Sequence, residues 1–250
     1  MKTVYYASMV VAAATLLAFT VPVHASQTDS SIESSVKDSY VFKTYLKDDT
    51  SQIQVKDGVV TLTGKVADES HKLLAQETVA VFSGVKSVDN QLEIKGDRPA
   101  EKSDAWLLTK VKTTLLFHRS VSAKTEVDVK ESVVTLHGEA ANSAQRELTT
   151  EFAKDVEGVK EVKNEMSVAK SANEKQTVVE KIDDASITAQ VKMTLLFHHS
   201  TSALHTTVTT KDGVITVSGK AKNVAEKDLV SKLANDVNGA RDLNNLMTIE

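Results

Sequence analysis

The chain is 250 residues long, carries a formal charge of −4 and contains no cysteine. Without cysteine it can form neither disulfides nor a cysteine-linked lipid anchor, so its stability must come from packed cores. The mild acidity excludes the overall basic field of a nucleic-acid binder, and an aromatic content of 4% is low for a base-stacking surface.

Residues 1–25 have a basic start at Lys2, an apolar run from Ala7 to Val21 and a small-x-small ending at Val23-His24-Ala25. This pattern predicts a secretory signal peptide cleaved after Ala25, and therefore a periplasmic protein. The apolar run is too short for a membrane span. Cleavage removes Lys2 alone among the charged residues, making the mature chain one unit more acidic.

Beyond the leader one pattern occurs three times. An apolar triplet at i, i+4, i+8 opens each copy: Ile32-Val36-Tyr40, Leu107-Val111-Leu115 and Ile187-Val191-Leu195. Each marks one face of a helix. Alternating pairs follow at Ile53/Val55, Val127/Val129 and Val208/Thr210, then the hairpin strings KDGVVTLTG (56–64), KESVVTLHG (130–138) and KDGVITVSG (211–219). Asp57-Gly58 and Asp212-Gly213 are good tight-turn pairs. Glu131-Ser132 is a poorer one, so the middle hairpin is expected to turn differently. In the second strand Val60 and Leu62 share the predicted core face, which ends at Gly64.

Asp68, Asn142 and Asn223 are predicted N-caps of a second helix, with Gln145 and Glu226 completing capping boxes. Twenty residues after Gly64, Gly138 and Gly219 come Gly84, Gly158 and Gly239, suited to the left-handed position that closes a helix. Asn90, Asn164 and Asn245 follow six residues later, on the apolar face of a last strand. They are expected to bond neighbouring backbone rather than a ligand. Each repeat therefore reads helix, strand, strand, helix, strand, over 27–95, 103–170 and 182–250. The polar joints at 95–102 and 170–181 suggest beads on a string with some mutual packing.

The segments ITAQVKMTLL, TTVTTKDGVITVSGKA and VNGARDLNNL of the third repeat resemble the BON-domain family, and the second repeat is nearly as similar. The resemblance implies three tandem αββαβ domains of the α+β class, each with a small three-stranded mixed sheet covered on one face by two helices. It also implies a non-enzymatic role in the cell envelope, tied to osmotic and envelope stress. The implied partners are exported or unfolded proteins, in a chaperone-like role, or phospholipid surfaces.

Chemistry-bearing motifs are lacking. No HExxH, GxSxG, Walker loop or dinucleotide fingerprint is present. Neither a catalytic residue, a metal site nor a cofactor is expected. The histidines of LLFHRS (115–120) and LLFHHS (195–200) fall near helix ends, where a solvated or capping role is expected. Phe42, Phe117 and Phe197 share one column. Phe117 lies far round from its leucine stripe, which places it at the edge of the core or outside. There it either folds over the open end of the core or contacts a partner. The candidate interaction surface is Phe42, Trp106, Lys110, Lys112, Phe117, Arg119 and Phe197.

Overall fold

A computed structural model describes residues 23–96, 99–121, 124–169, 181–201 and 206–250. The leader reading (apart from its last three residues), His205 and most of the second joint lie outside these residues.

The first unit comprises α1 (Val23–Asp38), a π-helical turn (Val41–Tyr45), β1 (Thr50–Lys56), β2 (Val59–Val66), α2 (Glu69–Ala80) and β3 (Ser87–Ile94). The second comprises α3 (Asp104–Leu116), β4 (Glu126–Lys130), β5 (Val133–His137), β6 (Glu139–Ala140), α4 (Ser143–Lys154), β7 (Glu161–Asn164) and β8 (Ser167–Val168). The third comprises α5 (Asp184–Phe197), β9 (Thr206–Lys211), β10 (Val214–Ala221), α6 (Val224–Asn235), β11 (Asp242–Asn245) and β12 (Thr248–Ile249). In each unit the second hairpin strand is central. β1 pairs antiparallel to β2, with Ile53 opposite Leu62, and β3 pairs parallel to it, with Asn90 opposite Leu62. The other two units repeat this order. The chain therefore has the αββαβ, α+β architecture read from its repeats.

The period-2 reading of the central strand holds, since Val60, Leu62, Val134, Leu136, Ile215 and Val217 are all fully buried. The second-helix caps form as expected: Asp68, Asn142 and Asn223 accept from the amides of His71, Gln145 and Glu226. The reach-back arm goes one residue further than a standard capping box. Gln145 accepts from Ala141 N–H and Glu226 from Lys222 N–H, both at 2.7 Å. The asparagine column is structural. Asn245 Nδ2 donates to Lys227 O (3.0 Å) and Ser231 Oγ (2.7 Å), while its Oδ1 accepts from Met247 N–H. Asn90 and Asn164 repeat the arrangement, so one side chain pins the last strand to the second helix.

The middle hairpin does not turn differently. Glu131 and Ser132 both adopt positive φ, 55° and 65°, matching Asp57-Gly58 at 54° and 79°. Three aspartates on the first helices hold these turns. Asp104 accepts from the amides of Glu131 (2.7 Å) and Ser132 (2.9 Å). Asp29 and Asp184 do the same for 57–58 and 212–213.

The units also do not sit as beads on a string. The first unit's core, built on Ile32, Val36, Val60, Leu62 and Leu74, includes Phe117 from the second unit and Ala189, Met193 and Phe197 from the third. α5 makes this possible. Ile187, Val191 and Leu195 face its own core, while Ala189 and Met193 face the first unit. A helix apolar on two faces needs a neighbour on each.

Candidate functional site

The phenylalanine column lies inside the molecule. Phe117 is 0% exposed, Phe197 8% and Phe42 9%. The expectation that Phe117 sits at the core edge or beyond is corrected, and the three rings are not an exposed contact surface. The cause is the packing of the units, which supplies a core for a residue lying outside its own helix stripe. The Tyr45 ring meets Phe117 edge-on at 5.4 Å and Tyr40 at 5.6 Å. The first unit is further tied to the third by polar bonds. Tyr40 N–H donates to Asp183 (2.7 Å), Val41 N–H to Ser186 Oγ (3.0 Å) and Tyr45 Oη to Gln190 (3.3 Å). The Lys192 ammonium pairs with Glu77 at 3.0 Å.

The histidines that end the repeated LLFH strings form a second junction. His118 and His198 are each 2% exposed, which removes the solvated half of the solvated or capping role expected of them. Their Nε2 atoms lie 3.3 Å apart. His118 Nδ1 is 3.0 Å from Asp236 Oδ2, and His198 Nδ1 is 2.8 Å from Asp155 Oδ2. Asp155 and Asp236 occupy the C-caps of α4 and α6. The serines that complete the strings, Ser120 and Ser200, donate to Asp236 and Asp155. Backbone bonds run the same way: Arg119 N–H to Asp236 O (2.9 Å) and His199 N–H to Asp155 O (2.8 Å). Each unit thus gives the other a histidine and takes back an aspartate. This is the reciprocal contact of a two-fold dimer, built within one chain. The first unit has Lys43 and Val81 in the corresponding columns and cannot join in the same way.

The protons follow from the geometry. An ionised carboxylate only accepts, so each Nδ1 carries a hydrogen. The two Nε2 atoms can then bond to each other only with a single proton between them. Burial pushes His118 below the ordinary histidine range; the Asp236 hydrogen bond opposes this and the charge of His198 adds to it. For Asp155 burial acts upward. The hydrogen bonds from His198 and Ser200 and the charges of His198 and His199 outweigh it, leaving the carboxyl below its usual range. The Phe152 ring stacks on His118 at 3.9 Å between centroids. Among the described residues no group of three His, Asp or Glu side chains is placed to hold a metal ion.

Beside this junction a groove of about 650 Å³ runs between α4 and α6. Leu148, Phe152, Leu229 and Leu233 give it an apolar lining, with Glu151, Lys154 and Lys232 among the charges around it. Leu148 is 42% exposed. No sequence signal pointed to this groove, because its walls come from helices of different units.

The remaining candidate residues divide. Lys110 Nζ lies over the Trp106 ring at 4.1 Å and 5.7 Å from the Phe197 centroid. These three line a small cleft of about 90 Å³ with Leu73, Ile94 and Pro99. Partial burial lowers the Lys110 pKa, with Glu157 and Glu101 acting against it. Lys112 is exposed. Arg119 turns toward the third unit, with Nη1 donating to Ala240 O (3.2 Å) and Nε 3.7 Å from Asp236. The predicted surface is therefore not one patch. His137 is half-exposed between Asp128 and Glu165, each at 3.5 Å, on the face away from the core. Among the described residues no helix is long and apolar enough to cross a membrane.

Comparison with known proteins agrees with the repeats. The family model "BON domain" matches residues 28–96, 103–170 and 183–250. Osmotically-inducible protein Y of Escherichia coli (strain K12) is 29% identical over 182 residues, covering 67% of this chain and 89% of that protein. An uncharacterized protein of the gshII 5′ region in Anaplasma centrale is 29% identical over 140 residues, covering 56% and 90% respectively. Among solved structures, CdsD, a structural protein of the type III secretion system of Chlamydia trachomatis, covers 84% of this chain and 90% of its own. That match has 15% identity and a TM-score of 0.25, too low to carry an argument.

Proposed function

This chain belongs to the BON-domain family, and from that membership we propose that it is a non-enzymatic periplasmic protein of the osmotic and envelope stress response. Its role is to hold exported proteins in a chaperone-like way. The similarity to a relative named as osmotically inducible supports the stress assignment. The leader pattern of residues 1–25 supports the compartment.

The observation that carries the holding role is the open groove between α4 and α6. An apolar lining flanked by charges of both signs suits short apolar segments of an unfolded chain, because exposed apolar surface marks interaction sites. The test is suppression of aggregation of a denatured secreted enzyme by the mature chain. Suppression should weaken in Leu148→Lys and Leu229→Lys while the fold is retained. Wild-type protein that leaves aggregation unchanged would contradict the reading.

A second reading, binding to phospholipid surfaces, draws on the Trp106–Lys110 pair and the exposed Lys112. Basic and aromatic side chains together are what an anionic interface attracts. Cosedimentation with anionic vesicles, run beside the aggregation assay, separates the two. Loss of sedimentation in Trp106→Ala favours lipid, and vesicle-independent suppression favours protein clients.

A further inference from the structure

His198, Asp155 and Asp236 border the groove, and the buried histidine pair joins the second and third units through four ionisable side chains. We infer that the Asp155–His198–His118–Asp236 chain is an acid-sensitive latch between these units, closed near neutral pH and opened by mild acid.

The geometry carries the argument. With one proton between the Nε2 atoms, one ring is an imidazolium and the chain is bonded from end to end: carboxylate, imidazolium, imidazole, carboxylate. A second proton puts an N–H on both Nε2 atoms, facing each other across 3.3 Å. The bond becomes a contact of two cations inside the protein, where their repulsion is little screened. Each carboxylate offsets the imidazolium bonded to it at Nδ1, but neither can move between the rings, so the two facing Nε2–H groups have no acceptor between them. Every other charge facing the latch is on its rim. Arg119, from the end of α3, already pairs with Asp236, and His199, from the end of α5, adds positive charge beside Asp155. From α4, Glu151 is engaged by Lys154 at 3.0 Å, and α6 contributes Lys232.

The sign follows from the depressed pKa of His118. The closed state resists a proton that an exposed imidazole accepts at about pH 6.5. This applies to the second proton on the pair, so closure weakens as pH falls through that value. Opening would free the backbone bonds of Arg119 and His199 to the opposite unit and uncover Phe152. A metal in place of the proton does not fit, because among the described residues the pair has no third ligand.

The experiment uses the mature full-length chain and follows amide protection factors by hydrogen exchange from pH 7.5 to 5.0. The Arg119 and His199 amides report the latch, and the Leu62 amide reports the first unit's sheet. The expected result is at least a tenfold drop in protection at Arg119 and His199, with Leu62 unchanged. His118→Gln keeps an acceptor toward His198 but cannot take the second proton. Asp236 retains Ser120 and Arg119 in that variant. It should hold its protection down to pH 5.0. Flat protection in the wild type, or an equal drop in His118→Gln, would overturn the proposal. Carbon-detected titration of the wild-type imidazoles checks it independently of that variant. His118 should titrate below about 6.5, and independent titration of both rings at the ordinary value would overturn it.

Discussion

The Asp104 carboxylate accepts the amide of Ser132, 28 residues further on, at 2.9 Å, and so holds a non-glycine residue at φ 65°. A left-handed residue with a β-carbon costs roughly 1–2 kcal/mol, which glycine avoids. Ser132→Gly is therefore expected to stabilise the protein by about 1 kcal/mol after the loss of glycine's greater unfolded-state entropy. Denaturant unfolding measures this, and a loss of stability would show that the serine makes a contact the turn geometry does not require.

The same carboxylate predicts a pH dependence. The hydrogen bonds from Ser132 and Glu131 hold Asp104 below its ordinary range, with burial opposing them weakly and Lys160 assisting. A depressed folded-state pKa means the contribution is present above about pH 4 and is lost as pH falls through the folded value. Asp104→Asn should flatten this part of the acid unfolding curve. A curve with the wild-type slope would rule out the contribution.

The asparagine column makes a stability prediction. Asn245→Ala removes two donated bonds that join β11 to α6 and one accepted bond from the nearby Met247 N–H. At about 1 kcal/mol for each net hydrogen bond, the expected loss is about 1–3 kcal/mol. Thermal unfolding reads it, and an unchanged midpoint would return the asparagine to the list of ligand contacts.

Much of this framework is legible in the sequence because it is local. A glycine at a helix end, an asparagine facing that helix and an aspartate or asparagine capping its start answer to neighbours within one unit, so each column recurs at constant spacing. The turn-holding aspartates were equally legible. Asp29, Asp104 and Asp184 each stand three residues before the first member of an apolar triplet, a fourth column that was not read. The junctions between units were not legible in this way. Phe117 lies off its helix stripe because its core belongs to another unit, and helical periodicity reports only a helix's own unit. One trace of the histidine junction does survive in the sequence. Where the second and third repeats carry both a histidine and an aspartate, the first carries Lys43 and Val81 and has lost both together.

The histidine pair also predicts how the protein responds to zinc. Both Nδ1 atoms are committed to aspartates and both rings are buried, leaving two nitrogens where a stable site needs three or four ligands. Isothermal titration should show no stoichiometric submicromolar site. Such a site, abolished by His198→Ala, would mean that the rings open toward a metal.

The central claim is that the units share a core, and Phe117 tests it most directly because its ring belongs to the second unit and is buried in the first. Phe117→Ala should cost roughly 3–5 kcal/mol, as for a buried ring elsewhere. Hydrogen exchange in the full-length variant locates that loss. The account predicts that the amides of Val60 and Leu62, in the first unit's central strand, lose protection by at least about 100-fold, the factor such a destabilisation implies. Protection at Val60 and Leu62 equal to wild type, with the loss confined to the second unit, would contradict it.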